Sequence, residues 1–368
     1  MKIKVLHIIP GFLYGGIESR LIDWYSSIDR DVIQFDVLKV TQDKSNPNVN
    51  AITSMGGNVL TVTPLGGRTW HLHEKEIETI IRNGQYNIIH CHSPIYAYFS
   101  LKIAKKYGIR TRILHARTSS YGTNDKAIFF KKILAKLSLH YVTNRFACSQ
   151  EAAHWAFGSD KDVTIIPNGV HVNSFQFDKE KRSYLRKKLG IEDCDYVLGF
   201  VGRFTEPKNL PFLIEVFSKL SINMEKVKLV LIGDGPMYQI VLKIINDKCI
   251  EDKTILLGRR ENINELINVF DIFCLPSLYE GFPGVAVEAQ ANGLPCLLSD
   301  RITHSTKIIE SLDFLSIDSI DVWVEQLKKR RWERRTPNAT SLIKEAGYDI
   351  ESTAKKLEDF YLKNSIKM

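Results

Sequence analysis

The feature that most constrains this chain is a regular alternation of short apolar, β-branched runs with longer amphipathic segments. Runs such as IKVLHII, IQFDVLKV and NIIHCHS are typical of strands that are buried in a sheet. The segments between them, such as GGIESRLIDWYSSI and IYAYFSLKIAKKYG, are typical of helices with one apolar side. Strands that alternate with helices indicate a parallel sheet with helices on both faces, which is the doubly wound α/β architecture.

The alternation breaks once, and this break predicts two domains. Residues 167–195 are polar, charged and rich in turn residues, and we place the domain boundary just after Val170. A second alternating series follows, and the chain closes with a helix over residues 350–366 that has no strand after it. We therefore predict a first domain over residues 1–170, with the closing helix packed back on it, and a second over residues 171–349.

The composition restricts the classes of function. Apolar residues make up 44% of the chain and charged residues 25%, so a packed core is expected rather than disorder. The net charge of +8 favours anionic partners, but no basic stripe with interleaved aromatic residues indicates nucleic acid. The six cysteines form no C-x-x-C pair, and no run reaches the roughly 20 apolar residues of a spanning helix. We therefore expect a cytoplasmic protein.

Two glutamates eight positions apart, Glu280 and Glu288, frame a turn between a predicted strand and a predicted helix. Pro283 suits the first helical position, and the backbone N–H groups of Gly284 and Val285 would then be free to bind a phosphate. Glutamates suit hydroxyl groups on either side of that phosphate. The layout fits a nucleotide sugar, although a loop charge and a solvated helix residue explain the spacing alone equally well.

Arg203 and Lys208 follow the predicted strand YVLGFVG, which ends at Gly202. Two cations at a strand end can neutralise a diphosphate leaving group as its charge develops. The alternative is a pair of ordinary surface cations. The sequence GDGP at residues 233–236 lacks the third glycine of the dinucleotide fingerprint and by itself indicates only a turn.

The first half of the chain offers a glycine turn and two histidines that follow strands. Gly15 and Gly16 lie between the first strand and its helix, where they would let a ligand approach the backbone. His92 and His115 each follow or end a predicted strand and could contact a sugar hydroxyl or the acceptor. A structural histidine is the commoner explanation of either residue taken singly.

A metal site is not expected. We interpret His90 and His92, which lie on one predicted strand, as facing opposite sides, and this argues against a paired site. The two Asp-x-Asp sequences, DKD at 160–162 and DCD at 193–195, precede strands and are interpreted as loop charges. No cysteine and histidine cluster has the spacing of a zinc site.

Taken together, the motifs resemble the retaining GT-B glycosyltransferases of glycosyltransferase family 4, also called group 1. The resemblance covers nearly the whole chain and depends on EGFPGVAVE, GRFTEPKN, GDGP, IIPNGV and YGGIE. It is greatest to members that build bacterial exopolysaccharide, capsule or lipopolysaccharide chains. It implies two Rossmann-like domains that face a cleft, an acceptor-binding first domain and a nucleotide-sugar-binding second domain.

The resemblance also implies roles for the candidate residues. Arg203 and Lys208 would bind the donor diphosphate, Glu288 the ribose and Glu280 the donor sugar, while His115 would contact the sugar near the reacting carbon. The resemblance implies a transfer that keeps the anomeric configuration and uses no metal and no cofactor. The leaving phosphate would accept the acceptor proton, without a protein nucleophile or general base. The implied donor-binding set further includes Gly281, Phe282, Pro283, Gly284, Val285, Gly16, Gly202 and Arg259, and the acceptor side includes Gly15 and His92.

The expected reaction is therefore retaining transfer from a nucleotide sugar, with UDP favoured over GDP. The acceptor would be a saccharide or a polyprenyl-diphosphate-linked saccharide, used in cell-surface polysaccharide synthesis. Two alternatives remain at this point: a sugar-nucleotide epimerase on the same fold, and transfer to a small soluble acceptor.

Residues 125–142, DKAIFFKKILAKLSLHYV, predict a basic amphipathic helix in the first domain. Its apolar side is expected to contain Ile128, Phe129, Phe130, Ile133 and Leu137, with Lys126, Lys131, Lys132 and Lys136 around the edges. Such a helix can lie in an anionic lipid interface, so we expect peripheral binding to the inner face of the cytoplasmic membrane. The alternative is that the apolar residues pack on the sheet.

Overall fold

The structure is a computed structural model that describes residues 2–11, 16–40, 47–117, 128–280 and 282–365. The chain divides into two compact units. One unit comprises residues 1–169 and 350–368, and the other comprises residues 170–349. No helix within the described ranges is both long enough and apolar enough to cross a membrane.

The first unit is built on a parallel sheet. Its strands are β1 (Ile3–Ile9), β2 (Ile33–Lys39), β3 (Asn58–Thr61), β4 (Ile88–Cys91), β5 (Thr111–Ala116), β6 (Asn144–Ala147) and β7 (Val163–Ile165). The strand order is β3-β2-β1-β4-β5-β6-β7. The helices between these strands are α1 (Gly16–Ser27), α2 (Pro47–Ser54), α3 (Trp70–Gly84), α4 (Pro94–Lys106), α5 (Ile128–Ser138) and α6 (Gln150–Phe157).

The second unit is built on a second parallel sheet. Its strands are β8 (Tyr196–Val201), β9 (Val227–Ile232), β10 (Thr254–Gly258), β11 (Ile272–Leu275), β12 (Cys296–Ser299) and β13 (Leu312–Leu315). The strand order is β10-β9-β8-β11-β12-β13. Its helices are α7 (Lys179–Lys188), α8 (Leu210–Ile222), α9 (Tyr238–Asp247), α10 (Ile263–Leu266), α11 (Gly284–Ala291), α12 (Ile320–Lys329) and α13 (Ala339–Glu345).

The C-terminal helix α14 (Ile350–Asn364) belongs to the first unit. Four apolar residues along one helical face are buried: Ile350, Ala354, Leu357 and Tyr361. The indole N–H of Trp24 in α1 donates a hydrogen bond to Thr353 Oγ1 at 3.2 Å. The closing C-terminal helix expected from the sequence is therefore confirmed.

Both faces of the first sheet are covered by helices. Because successive residues of a strand point to opposite faces, Val5 of β1 enters the core beneath α1 and α14, whereas Leu6 enters the core beneath α3 and α4. In the second sheet every residue of β8 is buried. Continuous apolar strands of this kind are typical of parallel sheets that are covered on both faces.

The polar stretch at residues 167–195 contains a helix, α7, that the sequence analysis did not predict. Its N-cap residue Asp178 accepts a hydrogen bond from the Lys181 N–H at 2.9 Å. Arg186 occupies a buried position and forms a 2.6 Å ion pair with Asp271. Amphipathic helices are recognised by buried apolar residues, and in α7 a buried arginine occupies one of these positions.

Candidate active site

Each sheet has one point at which the strand order reverses, between β1 and β4 in the first sheet and between β8 and β11 in the second. Loops at the carboxyl ends of the two strands diverge at such a point, and ligands of doubly wound sheets bind there. The candidate residues of the second half follow this rule. Arg203 and Lys208 follow β8, and Glu280 follows β11.

The structure brings Lys208 and Glu280 together, although they are far apart in the sequence. The Lys208 ammonium forms an ion pair with Glu280 Oε1, and the hydroxyl of Ser277 donates a hydrogen bond to the same oxygen at 2.8 Å. The side chains of Lys208 and Glu280 are 18% and 15% exposed, respectively. The pair is therefore largely, but not completely, shielded from water.

Arg203 is exposed, and no carboxylate of the described residues forms an ion pair with it. The next residue, Phe204, anchors the loop. It is buried and stacks on Tyr238, with ring centroids 5.9 Å apart. The loop also lies against the GDGP turn, because a Cβ atom at Gly233 would be 1.9 Å from the Gly202 carbonyl oxygen. Gly233 has φ of +146°, so the turn needs glycine for conformation as well as for space.

The turn between β11 and α11 differs in detail from the prediction. The helix begins at Gly284, so Pro283 precedes it rather than occupying its first position. The Gly284 N–H donates to the Phe282 carbonyl oxygen at 3.0 Å and is not free. The Val285 N–H is still predicted to bind a phosphate. Phe282 is buried against Tyr348, with ring centroids 5.5 Å apart, and therefore anchors the turn.

Glu288 lies in the second turn of α11, where it is half-buried. A residue that sequence reasoning missed, Gln290, fixes this helix. Its amide nitrogen donates to the Thr306 carbonyl oxygen at 2.7 Å, and its amide oxygen accepts from the Ile308 and Ile309 N–H groups at 2.9 and 3.1 Å. An isolated glutamine in a small-residue run gave no signal of this role.

Arg259 lies at the carboxyl end of β10, which is separated from β8 by β9. It is exposed. The preceding Gly258 carbonyl oxygen accepts the Gly233 N–H at 2.9 Å, so this strand end contacts the GDGP turn. The predicted residues Gly15 and Gly281 lie outside the described residues, and Gly16 is the first residue of α1.

The reversal point of the first sheet contains a network of buried histidines. His7 Nδ1 and His92 Nε2 are 2.9 Å apart, and His90 Nε2 and His115 Nδ1 are 3.1 Å apart. The other ring nitrogen of His90 lies 2.5 Å from the Tyr361 hydroxyl of α14. His7 and Tyr361 were missed from the sequence, because a single histidine or tyrosine in an apolar run gives no functional signal.

The interpretation that His90 and His92 face opposite sides is wrong. Residues two apart on a strand point to the same face, and the two rings stack with centroids 4.3 Å apart. His115 is fully buried and stacks on Trp24, with centroids 5.8 Å apart. Its Nδ1 lies 3.1 Å from His90 Nε2.

Burial keeps the histidine network neutral. Desolvation, reinforced by the charge of Arg117, lowers the pKa of His7 to about 3. Burial is also the main cause that holds the pKa values of His90, His92 and His115 well below their usual value. One ring nitrogen from each of His7, His90 and His92 lies within 4.8 Å of the others, which is a donor set of the kind that binds metals. Two features disfavour a cation there: the bonds among the rings and the charge of Arg117.

Comparison with known proteins identifies the family to which the chain belongs. Residues 14–174 match the family described as Glycosyltransferase Family 4, and residues 181–329 match Glycosyl transferases group 1. EpsF of Bacillus subtilis (strain 168), which is named as a glycosyltransferase, is 30% identical over 97% of this chain and 96% of its own. An Escherichia coli UDP-Gal:alpha-D-GlcNAc-diphosphoundecaprenol alpha-1,3-galactosyltransferase is 23% identical over 98% of this chain and 97% of its own.

Among solved structures, Anabaena HepE in complex with UDP and glucose superposes with a TM-score of 0.78. The two chains are 18% identical, and the match covers 97% of this chain and 99% of HepE. The two parallel α/β sheets therefore define the GT-B class of glycosyltransferase, as the resemblance predicted. The chain belongs to glycosyltransferase family 4, whose members transfer sugars from activated donors with retention of configuration.

Proposed function

We propose that this enzyme transfers a sugar from a UDP-sugar to a saccharide or polyprenyl-diphosphate-linked saccharide during cell-surface polysaccharide synthesis. The second unit binds the donor and the first unit binds the acceptor. The observation that carries the proposal is the Lys208–Glu280 ion pair at the reversal point of the second sheet. Arg203 follows the same strand as Lys208, and no carboxylate of the described residues forms an ion pair with it. Support for UDP comes from HepE, which was solved with UDP, and from the Escherichia coli relative, which is named for UDP-Gal.

The ion pair gives donor binding a simple electrostatic logic. A diphosphate carries more charge than one carboxylate and competes with Glu280 for the Lys208 ammonium, while Arg203 binds it from the solvent side. Glu280 is then free to accept hydrogen bonds from the hydroxyls of the donor sugar. Glu288 accepts hydrogen bonds from the ribose.

The chemical step needs charge stabilisation more than a protein nucleophile. The bond between the anomeric carbon and the diphosphate oxygen breaks, and the acceptor oxygen bonds to that carbon on the same face. The acceptor proton passes to the leaving phosphate, whose developing charge is stabilised by Arg203 and Lys208. The predicted contact of His115 with the sugar belongs to this step as well.

Membrane binding is proposed for α5. Phe129 and Phe130 are 74% and 54% exposed, and Ile133 and Leu137 are exposed as well. In the same helix Leu134 and Ala135 are buried, so the helix has a buried side in addition to this exposed apolar one. Lys132 and Lys136 are also exposed, so an anionic lipid surface would match both the apolar and the basic residues of the helix.

A thermal-shift screen followed by product analysis tests the donor assignment. UDP-glucose, UDP-galactose, UDP-N-acetylglucosamine and their GDP counterparts are each added to the protein. At least one UDP-sugar should raise the midpoint of unfolding, and the increase should be lost in Lys208→Ala. Donor incubated without acceptor should not isomerise. An epimeric nucleotide sugar as the product would contradict the transferase proposal.

A further inference from the structure

Arg117 follows β5 directly and is the most unusual charged residue of the first unit. It is 6% exposed, and none of its three side-chain nitrogens has a hydrogen-bond partner in the part of the chain that the structure describes. Its guanidinium carbon lies 4.8 Å from the ring centroid of Trp24, a contact that stabilises a cation only in part. Burial lowers the pKa of Arg117 to about 10, so the side chain remains charged at neutral pH.

A second buried arginine shows what a structural role looks like in the same protein. Arg186 is 2% exposed, and its guanidinium binds the Asp271 carboxylate at 2.6 Å and the Val269 carbonyl oxygen at 2.9 Å. A buried charge is strongly destabilising unless an opposite charge and hydrogen bonds compensate it. Arg186 meets that condition within the chain, whereas Arg117 does not meet it among the described residues.

Arg20 is a second cation whose charge acts on Arg117. Arg117 lowers the pKa values of His7, His90, His92 and His115, which places all four rings within its electrostatic reach. Among the described residues Glu18 acts on Arg117 through its charge but does not hydrogen-bond it. His7 Nε2 and His92 Nδ1 are likewise buried without a partner in the described chain.

We infer that Arg117 binds a phosphate group of the acceptor, at the carboxyl end of β5 in the first unit. This inference rests on the proposed function, because it assigns the acceptor to that unit. A guanidinium binds phosphate through two parallel hydrogen bonds, and all three side-chain nitrogens of Arg117 lack a partner among the described residues. The donor diphosphate is assigned to Arg203 and Lys208 of the other unit. A neutral saccharide would leave Arg117 uncompensated.

The test measures binding of inorganic pyrophosphate to the full chain by titration calorimetry in the presence of saturating UDP. UDP occupies the donor site, so the remaining binding reports the second anion site. Arg117→Met should weaken pyrophosphate binding at least about tenfold, as loss of a charge-assisted contact does. Arg117→Lys, which keeps the charge but not the fork, should weaken it less. The exposed Arg145→Met of the same unit is the control and should bind like the wild type.

Thermal unfolding without pyrophosphate gives an independent readout. Arg117→Met removes an uncompensated buried charge and should raise the unfolding midpoint, whereas Arg186→Met breaks an ion pair and should lower it. The inference is overturned if Arg117→Met binds pyrophosphate as tightly as the wild type, or if UDP-saturated wild type binds none. UDP affinity measured in the same variants reports separately on the donor site, so failure of one proposal does not imply failure of the other.

Discussion

Both sheets have polar residues at the point where the strand order reverses, but these residues differ in charge and in exposure to solvent. At the reversal point of the second sheet, Lys208 and Glu280 are charged, paired and partly exposed. At the reversal point of the first sheet, His7, His90 and His92 are neutral and shut off from solvent. A charged pair near water exchanges partners readily when an anion arrives, whereas a neutral buried network keeps its geometry.

This difference suggests a division of labour between the two regions. Recognition of a highly charged donor calls for ions that can be redirected, and the second unit supplies them. The first unit supplies fixed rings within the electrostatic reach of the buried Arg117. If that division is correct, mutations in the second region should change donor binding and turnover, and mutations of His7, His90 or His92 in the first should change stability and its pH dependence.

The largest expected effect is on catalysis. Glu280→Ala should lower kcat roughly 100-fold, because the sugar contact strengthens in the transition state. Glu288→Ala should instead raise KM for the donor about tenfold or more, because the ribose contact is made equally in ground and transition states. Steady-state kinetics measures both parameters. The exposed Glu261→Ala serves as control, and near-normal kinetics in both glutamate variants would remove the basis of the site assignment.

An effect on stability rather than on kinetics is expected from Gln290, a neutral buried residue within the second region. Gln290→Leu leaves the Thr306 carbonyl oxygen and the Ile308 and Ile309 N–H groups without their partner. We expect a loss of about 3 kcal/mol or more in the free energy of unfolding, since each orphaned group costs about 1–3 kcal/mol. Urea unfolding measures it, with the exposed Gln239→Leu as control. Equal stability of the two variants would contradict the role given to Gln290.

Membrane binding tests whether lipid contacts belong to the first unit alone. Replacing Lys131, Lys132 and Lys136 by glutamate should weaken the free energy of binding to anionic vesicles by about 1 kcal/mol per lysine, as measured by co-sedimentation. Added salt should weaken the binding of the wild type. A matched charge reversal in the second unit, K179E/K187E/K188E, should bind like the wild type. Indifference of the wild type to lipid charge would favour a soluble acceptor instead.

The neutral histidines predict a pH dependence of stability. The folded-state pKa of His7 is about 3 against an ordinary value of 6.5, so its neutral form contributes fully above pH 6.5 and the contribution is lost as pH falls toward 3. In that range His7→Gln should reduce the slope of unfolding free energy against pH by about 1.4 kcal/mol per unit. The exposed His71→Gln is the control, and an unchanged slope in His7→Gln would show that His7 titrates alike in both states.

The smallest expected effect is none. Activity should be unchanged by EDTA, because Arg203 and Lys208 supply the positive charge that a divalent ion supplies in other transferases. Sugar transfer measured before and after chelation checks this. Loss of activity that Mg²⁺ or Mn²⁺ restores would mean that the charged region is incomplete without an ion.

Much of the architecture was predictable because local pattern and global topology agree. The apolar period fixes each strand and helix, and short crossovers between parallel strands leave few possible sheet orders. The helix α7 escaped because Arg186 occupies a buried position that an apolar residue would normally hold. Its partner Asp271 lies before β11, far along the chain, so no local pattern could reveal it.

The candidate site was predictable as a set of residues but not as a set of contacts. The motifs around Arg203 and Glu280 indicate a donor site, but the Lys208–Glu280 pair depends on β8 and β11 being neighbours in the sheet. The histidine network depends in the same way on strands β1, β4 and β5, and on Tyr361 at the other end of the chain. Arg117 could not be singled out from the sequence, because the lack of a hydrogen-bond partner among the described residues is visible only in the folded structure.

The return of α14 to the first unit has a consequence for biosynthesis. Residues 170–349 of the second unit are translated between the first 169 residues and α14. At about 5–20 residues per second, the ribosome takes roughly 10–40 s to make them. During that interval the face of the first sheet that holds Trp24 and His90 lacks the helix that supplies Thr353 and Tyr361. The second unit is therefore expected to complete its fold before the first. Until α14 emerges, chaperones would be needed to cover this exposed face of the first sheet.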